Sequence, residues 1–355
     1  MPRAAIQVVG ELGRHGWLRI PSASLLLCIV IGCEGRPITS DERKITVRQS
    51  HADHHGSAQV TSLLGARLTA MAPGADREPL EANLAQARQL LVREPDDPKS
   101  IIWVGRRLGY LWRMNEAVDV YSQGIRRYPT NAALYRHRGH RYISLRQFDL
   151  AVDDLTRATE LIHGRPDEIE LDGMPNARNI PLTTTGFNVW YHLGLAYYLQ
   201  GDFERALDAY RETMKHARGY DDNLVAVTDW TYMTLRRLGR DDEAAALLEP
   251  ISADMDIIEN HAYHRRLLMY KGELNPDDLL GDSASPLDLA TQGYGVGNWY
   301  LCNGETDRAV VIFRRMVSGP YWPAFGYIAS EVELVRLRPE LRVSETAPRP
   351  QETKP

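Results

Sequence analysis

Residues Trp190 to Tyr210 read WYHLGLAYYLQGDFERALDAY. Trp190, Leu193, Gly194 and Tyr197 stand at i, i+3, i+4 and i+7, which is one stripe of a helix with a glycine on its packing face. Gln200-Gly201-Asp202 breaks that helix. Ala206 follows Gly194 by 12 residues and opens a second stripe that runs to Tyr210. Two short helices joined by a tight turn, each with a small residue where the other must approach, form a unit too small to fold alone. Gly105 with Ala117 and Gly139 with Ala151 repeat the spacing of 12, and both pairs recur at an interval of 34. Self-similarity at that period predicts a stack of two-helix units rather than one globular core.

The first copy carries Ile101, Val104, Gly105, Leu108, Ala117 and Tyr121. The second carries Tyr135, Arg138, Gly139, Tyr142, Ala151 and Leu155. Their turns read as Arg113-Met114-Asn115 and Arg146-Gln147, and Pro129 closes the first unit. These residues resemble the tetratricopeptide repeat, whose pattern runs aromatic, Leu-Gly, Tyr, Ala, Phe, Ala, Pro. Trp190 to Tyr210 is a near-complete match, whereas Arg138 and a missing terminal proline depart from the pattern in the second copy. Weaker copies follow. Leu238-Gly239-Arg240 with Ala244 and Leu248 keeps a turn and second helix, and Gly297, Tyr300, Gly304, Ala309 and Phe313 keep more. Between them Ile257 to Tyr270 reads as a helix with a short partner, Asn275 to Leu280. The resemblance implies an all-α, right-handed superhelical solenoid over residues 79–340, with a concave groove that holds a partner protein or peptide.

The amino terminus carries a different signal. Arg3, Arg14 and Arg19 precede an apolar run from Leu25 to Ile31, the layout of a secretory signal whose core is too short to span a bilayer. Val30-Ile31-Gly32-Cys33 resembles the bacterial lipobox. That resemblance implies cleavage after residue 32, acylation of Cys33 and a place at the bacterial cell envelope, held to the membrane by several acyl chains. Loss of residues 1–32 removes three arginines and one glutamate and takes the formal charge from −5 to −7. A mildly acidic chain is not a general nucleic-acid binder. Residues 33–78, rich in Gly, Ser and charge, read as a flexible tether, and 341–355 as a disordered tail. His51, Asp53, His54 and His55 cluster in the tether, where no rigid element would fix ligand geometry.

One insertion interrupts the period. A step of 34 from Gly139 lands at 173, yet the third glycine stands at 194. The extra residues lie within 163–186 (HGRPDEIELDGMPNARNIPLTTTG), where three prolines forbid a regular helix; loops this long inside a compact array are usually functional. Ile169, Leu171, Met174, Ile180 and Leu182 are expected to pack against the solenoid. Charge is segregated around the insertion. Residues 99–146 hold ten Lys/Arg against two Asp/Glu, and 149–178 hold three Arg against eight acids.

The helix face opposite the packing stripe presents Arg106, then Arg136, His140 and Ile143, then Tyr191, Leu195 and Tyr198. Arg106, Arg136 and His140 suit a carboxylate or phosphate, because arginine makes paired bonds to such groups. Tyr191 and Tyr198 offer flat apolar contact, and Asn176 and Arg178 of the insertion should lie close by. The alternative is that Arg106 and Arg136 pair with Asp167, Glu168, Glu170 or Asp172. No phosphate loop, G-x-S-x-G, H-E-x-x-H or paired Cys/His zinc pattern is present. His261 and His264 are too few for a typical catalytic zinc site. With Cys28 in the leader and Cys33 lipidated, Cys302 would be a lone packing thiol. The expected role is a non-enzymatic scaffold without cofactor or metal that binds a protein or peptide. A small anionic ligand under the insertion as a lid is the alternative, and a metal-dependent enzyme is the remote one.

Overall fold

The glycines that set the period sit where helices meet. A Cβ on Gly194 would lie 2.6 Å from the Tyr210 ring, one on Gly139 2.8 Å from Leu155, and one on Gly297 2.5 Å from Phe313. Gly105 is covered in the same way by Tyr121. The partner is the large residue sixteen positions on, rather than the alanine twelve positions on. Ala117, Ala151, Ala206 and Ala309 are themselves fully buried one turn earlier. A ring seated on a bare helix backbone buries most of its apolar surface, which is worth about 2–3 kcal/mol per unit.

In the computed structural model, residues 57–341 are described except 72, 73, 75, 218 and 282–285. The leader, Cys33, the histidine cluster at 51–55 and the tail from 342 lie outside the described residues. Among the described residues the chain is all-α apart from one hairpin. That hairpin, β1 (Ala58–Thr61) with β2 (Arg67–Thr69), is antiparallel and falls inside the stretch read as tether. Leu68 is buried, and Thr69 accepts a 2.9 Å hydrogen bond from the Trp322 indole. A capping helix α1 (Arg77–Arg93) leads into α2 (Pro98–Tyr110) and α3 (Met114–Arg127), α4 (Ala132–Ser144) and α5 (Phe148–Ile162), and α6 (Thr185–Gln200) and α7 (Phe203–His216). Then come α8 (Asp221–Arg237) and α9 (Asp241–Ala246), α10 (His261–Tyr270) and α11 (Pro276–Leu279), α12 (Pro286–Cys302) and α13 (Thr306–Val317), and finally α14 (Phe325–Leu337).

Local chemistry explains the boundaries. Asp97, Asn131, Thr184 and Asp202 accept hydrogen bonds from the first-turn amides of α2, α4, α6 and α7. α10 starts at His261 rather than Ile257 because the buried Asp222 carboxylate takes the amides of Ile258, Glu259 and Asn260, at 2.8–2.9 Å. α3 starts at Met114, so its turn is Leu111 to Arg113, two residues earlier than the sequence suggested. Every two-helix turn needs one left-handed residue. Glycine fills that position at 201, 239, 272 and 304, but Trp112 (φ 58°) and Arg146 (φ 61°) fill it in the first two units. Such a conformation costs a side-chain-bearing residue about 1–2 kcal/mol.

Those two side chains show what offsets the strain. Trp112 packs edge-on against Tyr321 and Trp322, with ring centroids 6.0 and 5.9 Å apart. Arg146 donates through Nε to Glu331 at 2.8 Å and through Nη2 to the Trp322 carbonyl at 3.1 Å. The C-terminal helix therefore lies against the second and third units. Phe325 packs tilted against His140 and edge-on against His192, and Arg336 donates to the carbonyls of Tyr198 and Leu199 at 3.0 and 2.7 Å. Residues 326–334 of α14 are buried on every face. The inner groove expected to hold a partner is occupied by the protein's own later helices, α14 against α4 and α6, and α10 and α12 against Tyr191 and Tyr198.

Candidate functional site

The groove positions read from the sequence divide into two groups. Tyr191 and Tyr198 belong to the packed interior. The Tyr191 hydroxyl donates to Tyr263 at 3.3 Å, while Tyr198 donates to Asn298 at 3.3 Å and accepts from Tyr294 at 2.7 Å. Both are covered by the protein itself. Arg106 and Arg136 lie beside the insertion, which crosses their face as a strap, whereas His140 faces His192 and Phe325, away from it.

The strap is held by polar contacts at both ends and along its length. Its two ends zip through the Ile169–Thr184 bridge, with Glu170 N donating to Thr183 O at 3.0 Å and Thr185 N to Glu168 O at 2.8 Å. Arg106 Nη1 donates to the Leu171 carbonyl and Arg107 Nη1 to the Gly173 carbonyl, each at 2.6 Å. Gly173 has no side chain because the Tyr110 hydroxyl occupies the space a Cβ would need. At the far side Asn223 Nδ2 donates to the Leu182 carbonyl at 2.7 Å, and Arg178 grips Asp256 with two bonds of 2.6 and 2.7 Å. Asn176 serves the strap itself. Its side chain accepts from Arg178 N and Ile180 N and donates to the Ile180 carbonyl.

The expected burial of the strap's apolar residues holds for Leu182 and fails for three others. Ile169, Leu171 and Met174 are 64%, 60% and 61% exposed. The physical reason is the anchoring chemistry. The solenoid takes hold of the strap through its carbonyls and carboxylates, and in the extended stretch the alternate side chains Ile169 and Leu171 then face outward, while Met174 stands on the bend that begins at Gly173.

Beneath the strap, α2 and α4 bring three guanidinium groups together. Arg136 is buried; its Nη2 pairs with Glu170 Oε1 at 3.0 Å and its Nη1 donates to His137 Nδ1 at 2.8 Å. A guanidinium can only donate, so this histidine nitrogen carries the lone pair and the ring is neutral. His192 Nδ1 donates to the Asn188 carbonyl at 2.6 Å, and its ring lies 4.5 Å from that of His140. Burial first, and the neighbouring arginines next, hold all three histidines well below the usual imidazole range. Arg141 was not singled out by its position on the helix, yet it joins the cluster. Among the described residues its one hydrogen-bond contact is the Met114 sulfur at 3.6 Å. Gly109 makes room for it, since a Cβ there would overlap the Arg141 guanidinium.

Two other regions carry less. Asp167 accepts from His216, Thr184 and the Gly186 amide at 2.6–2.8 Å at the edge of a cleft of about 650 Å³ lined by the first three units. That arrangement closes the base of the strap. His264 donates to the Ser252 carbonyl at 2.8 Å. Among the described residues no group of three or more His, Cys, Asp or Glu side chains is placed to hold a metal ion. No described helix is long and apolar enough to cross a membrane.

Tandem helix–turn–helix units, four of them with a bare helix glycine roofed by the side chain sixteen residues later, define a solenoid of short helical repeats. The family model of the tetratricopeptide repeat matches residues 187–220, the unit of α6 and α7, and the described fold is a solenoid of units of that kind. Over 98 residues, 28% of its length, it is 30% identical to small glutamine-rich tetratricopeptide repeat-containing protein 2 of Saccharomyces cerevisiae, covering 22% of that protein. Over 135 residues, 38% of its length, it is 25% identical to human tetratricopeptide repeat protein 13, covering 13% of it. The chain thus spans less than a quarter of the curated relatives it matches. A tetratricopeptide repeat protein from Parabacteroides merdae superposes on 73% of this chain and 94% of its own, with 15% identity and a TM-score of 0.43.

Proposed function

We propose that this protein is a non-enzymatic interaction scaffold, anchored at the bacterial cell envelope by lipid on Cys33, that presents its strapped face to a protein or peptide partner. The observation that carries the reading is the outer edge of the strap. Ile169, Leu171 and Met174 project into solvent from a strap held at five points, three through its backbone carbonyls and two through the side chains of Glu170 and Arg178. A rigid apolar edge binds at little ordering cost, which is what favours it over the filled groove as a docking surface. The anchor reading rests on the basic leader and the Val30 to Cys33 motif.

Photo-crosslinking in cells tests the docking surface. A photoreactive residue at Leu171 or Met174 should give one discrete adduct, while the same residue at the exposed Val311 of α13 should give none. Equal labelling at all three positions, or none at the strap, would remove the reading. Cys33→Ser tests the anchor separately. The variant should lose its acyl modification and leave the membrane fraction, and membrane retention at the parent level would refute it.

A further inference from the structure

We infer that Arg106, Arg136, Arg141 and Glu170 form a site for a phosphate group, free or as the monoester of a small molecule, beneath the strap. This inference concerns a small ligand and stands or falls independently of the partner proposed above.

Three guanidinium groups converge here against one direct carboxylate. Glu170 pairs with Arg136, and Asp172 acts on Arg106 through space without a direct ion pair. Burying guanidinium charge without an equal number of contacting anions is costly, and proteins meet that cost with pairing or with a bound anion. The unmet hydrogen-bonding groups give the anion a shape. Arg136 Nε is buried and has no partner. Among the described residues Arg141 has one hydrogen-bond contact, a thioether, and the only other neutral acceptors near its fork are the Tyr121 and Tyr110 phenols. These are donors without an anionic acceptor, and an anionic oxygen satisfies them.

Glu170 narrows the chemistry further. Its Oε2 is buried and has no hydrogen-bond donor. A ligand that fills the site must therefore present acceptors to the two arginines and one donor to a carboxylate. Inorganic phosphate at neutral pH carries both, because at least one oxygen keeps its proton; a monoester, whose second proton leaves at about pH 6, carries both as its monoanion. Sulfate and acetate carry no proton at that pH and would set a lone pair against Glu170. The site should thus prefer phosphate over sulfate, a choice that positive charge alone would not make. Arg106, Tyr110 and Arg141 are only partly covered, so a small anion can enter at the strap's edge without the strap unfolding.

Isothermal titration of the purified full-length protein at pH 7 and fixed ionic strength provides the test, with inorganic phosphate, glycerol 3-phosphate and sulfate as probes. One phosphate should bind per chain, about tenfold or more tighter than sulfate, which corresponds to about 1.4 kcal/mol. Tighter binding of glycerol 3-phosphate than of phosphate would identify a monoester as the ligand, and the reverse order free phosphate. Arg141→Gln should weaken phosphate about tenfold or more, because it removes a charge-assisted fork. Glu170→Gln should erase the preference over sulfate. Arg157→Gln, at an exposed arginine paired with Glu160, should change neither. If Arg141→Gln does not fold, Arg106→Gln serves in its place. Equal weak binding of phosphate and sulfate would overturn the inference, as would unchanged phosphate affinity in a folded Arg141→Gln or Arg106→Gln protein.

Discussion

Gly194→Ala puts the central packing argument at risk, because two effects of opposite sign meet there. In an exposed helix the substitution stabilises by about 1 kcal/mol, since alanine is the best helix former and glycine among the worst. At position 194 the new Cβ would lie 2.6, 2.8 and 2.9 Å from three atoms of the Tyr210 ring. Carbon atoms in contact prefer about 3.5–4.0 Å, so the helices must separate or the ring must turn by close to 1 Å. The ring has little freedom, being fully buried and packed edge-on against Tyr191 at 6.2 Å. Overpacking of this kind costs about 1–3 kcal/mol or more, and a clash with a fixed ring belongs at the upper end. The net expectation is a loss of about 1–2 kcal/mol, read as a lower urea midpoint at an unchanged slope in far-ultraviolet circular dichroism. In a Tyr210→Ala background the clash is gone. There the same Gly194→Ala change should stabilise by up to about 1 kcal/mol. If Gly194→Ala stabilises the parent protein, or has the same sign in both backgrounds, the glycine is not held by the ring and the packing argument fails.

Two further outcomes follow from buried charge. Arg146→Gly relieves a left-handed residue worth about 1–2 kcal/mol, but it strands the fully buried Glu331 carboxylate, which costs about 3–5 kcal/mol. The single variant should therefore lose about 2–3 kcal/mol in the same urea assay, and adding Glu331→Leu should restore most of it; a neutral single variant would show that Arg146 does not hold α14. Below about pH 6.5 the unfolded chain takes up protons at His137, His140 and His192 that the folded protein resists, so these groups contribute full stability above that pH and lose it on acidification. The loss is up to about 1.4 kcal/mol per pH unit for each buried ring. Thermal melts of the parent and a His137→Gln/His192→Gln variant between pH 7.5 and 5.5 check it, and parallel curves would refute the assignment.

What was legible in the sequence was what packing forces on single positions. Gly105, Gly139, Gly194 and Gly297 announce the repeat because nothing larger fits against the residue sixteen places on. α8 was missed as a first helix for the opposite reason. Residues 225–235 are buried all round, so the segment shows no polar face and hence no helical period. The filling of the groove by the later helices was illegible because a helix's own sequence reports that it will be buried, not which surface will bury it. Trp112 and Arg146 held the one local clue. They stand seven residues after Gly105 and Gly139, where later units place glycine, and a bulky residue at that turn signals an outside constraint. The strap's charges matched in part: Arg136 pairs with Glu170, whereas Arg106 takes the Leu171 carbonyl. Its apolar residues misled because anchoring the backbone decided which side chains face water.

The clasp that joins Arg146 to Glu331 and Trp322 to Thr69 also changes how the molecule unfolds. A linear repeat array melts from its ends, one unit at a time, because each unit touches only its neighbours. Here contacts span 185 and 253 residues of chain, so the last helix cannot fray without exposing the second and third units. Cooperativity is thereby imposed on an architecture that does not require it. The entropy of closing such long loops delays formation of the clasp and slows folding, so half-built arrays should persist on the pathway. Deleting terminal units to make a smaller repeat protein, a routine operation on open arrays, should here leave a groove lined with buried arginines and tyrosines open to water.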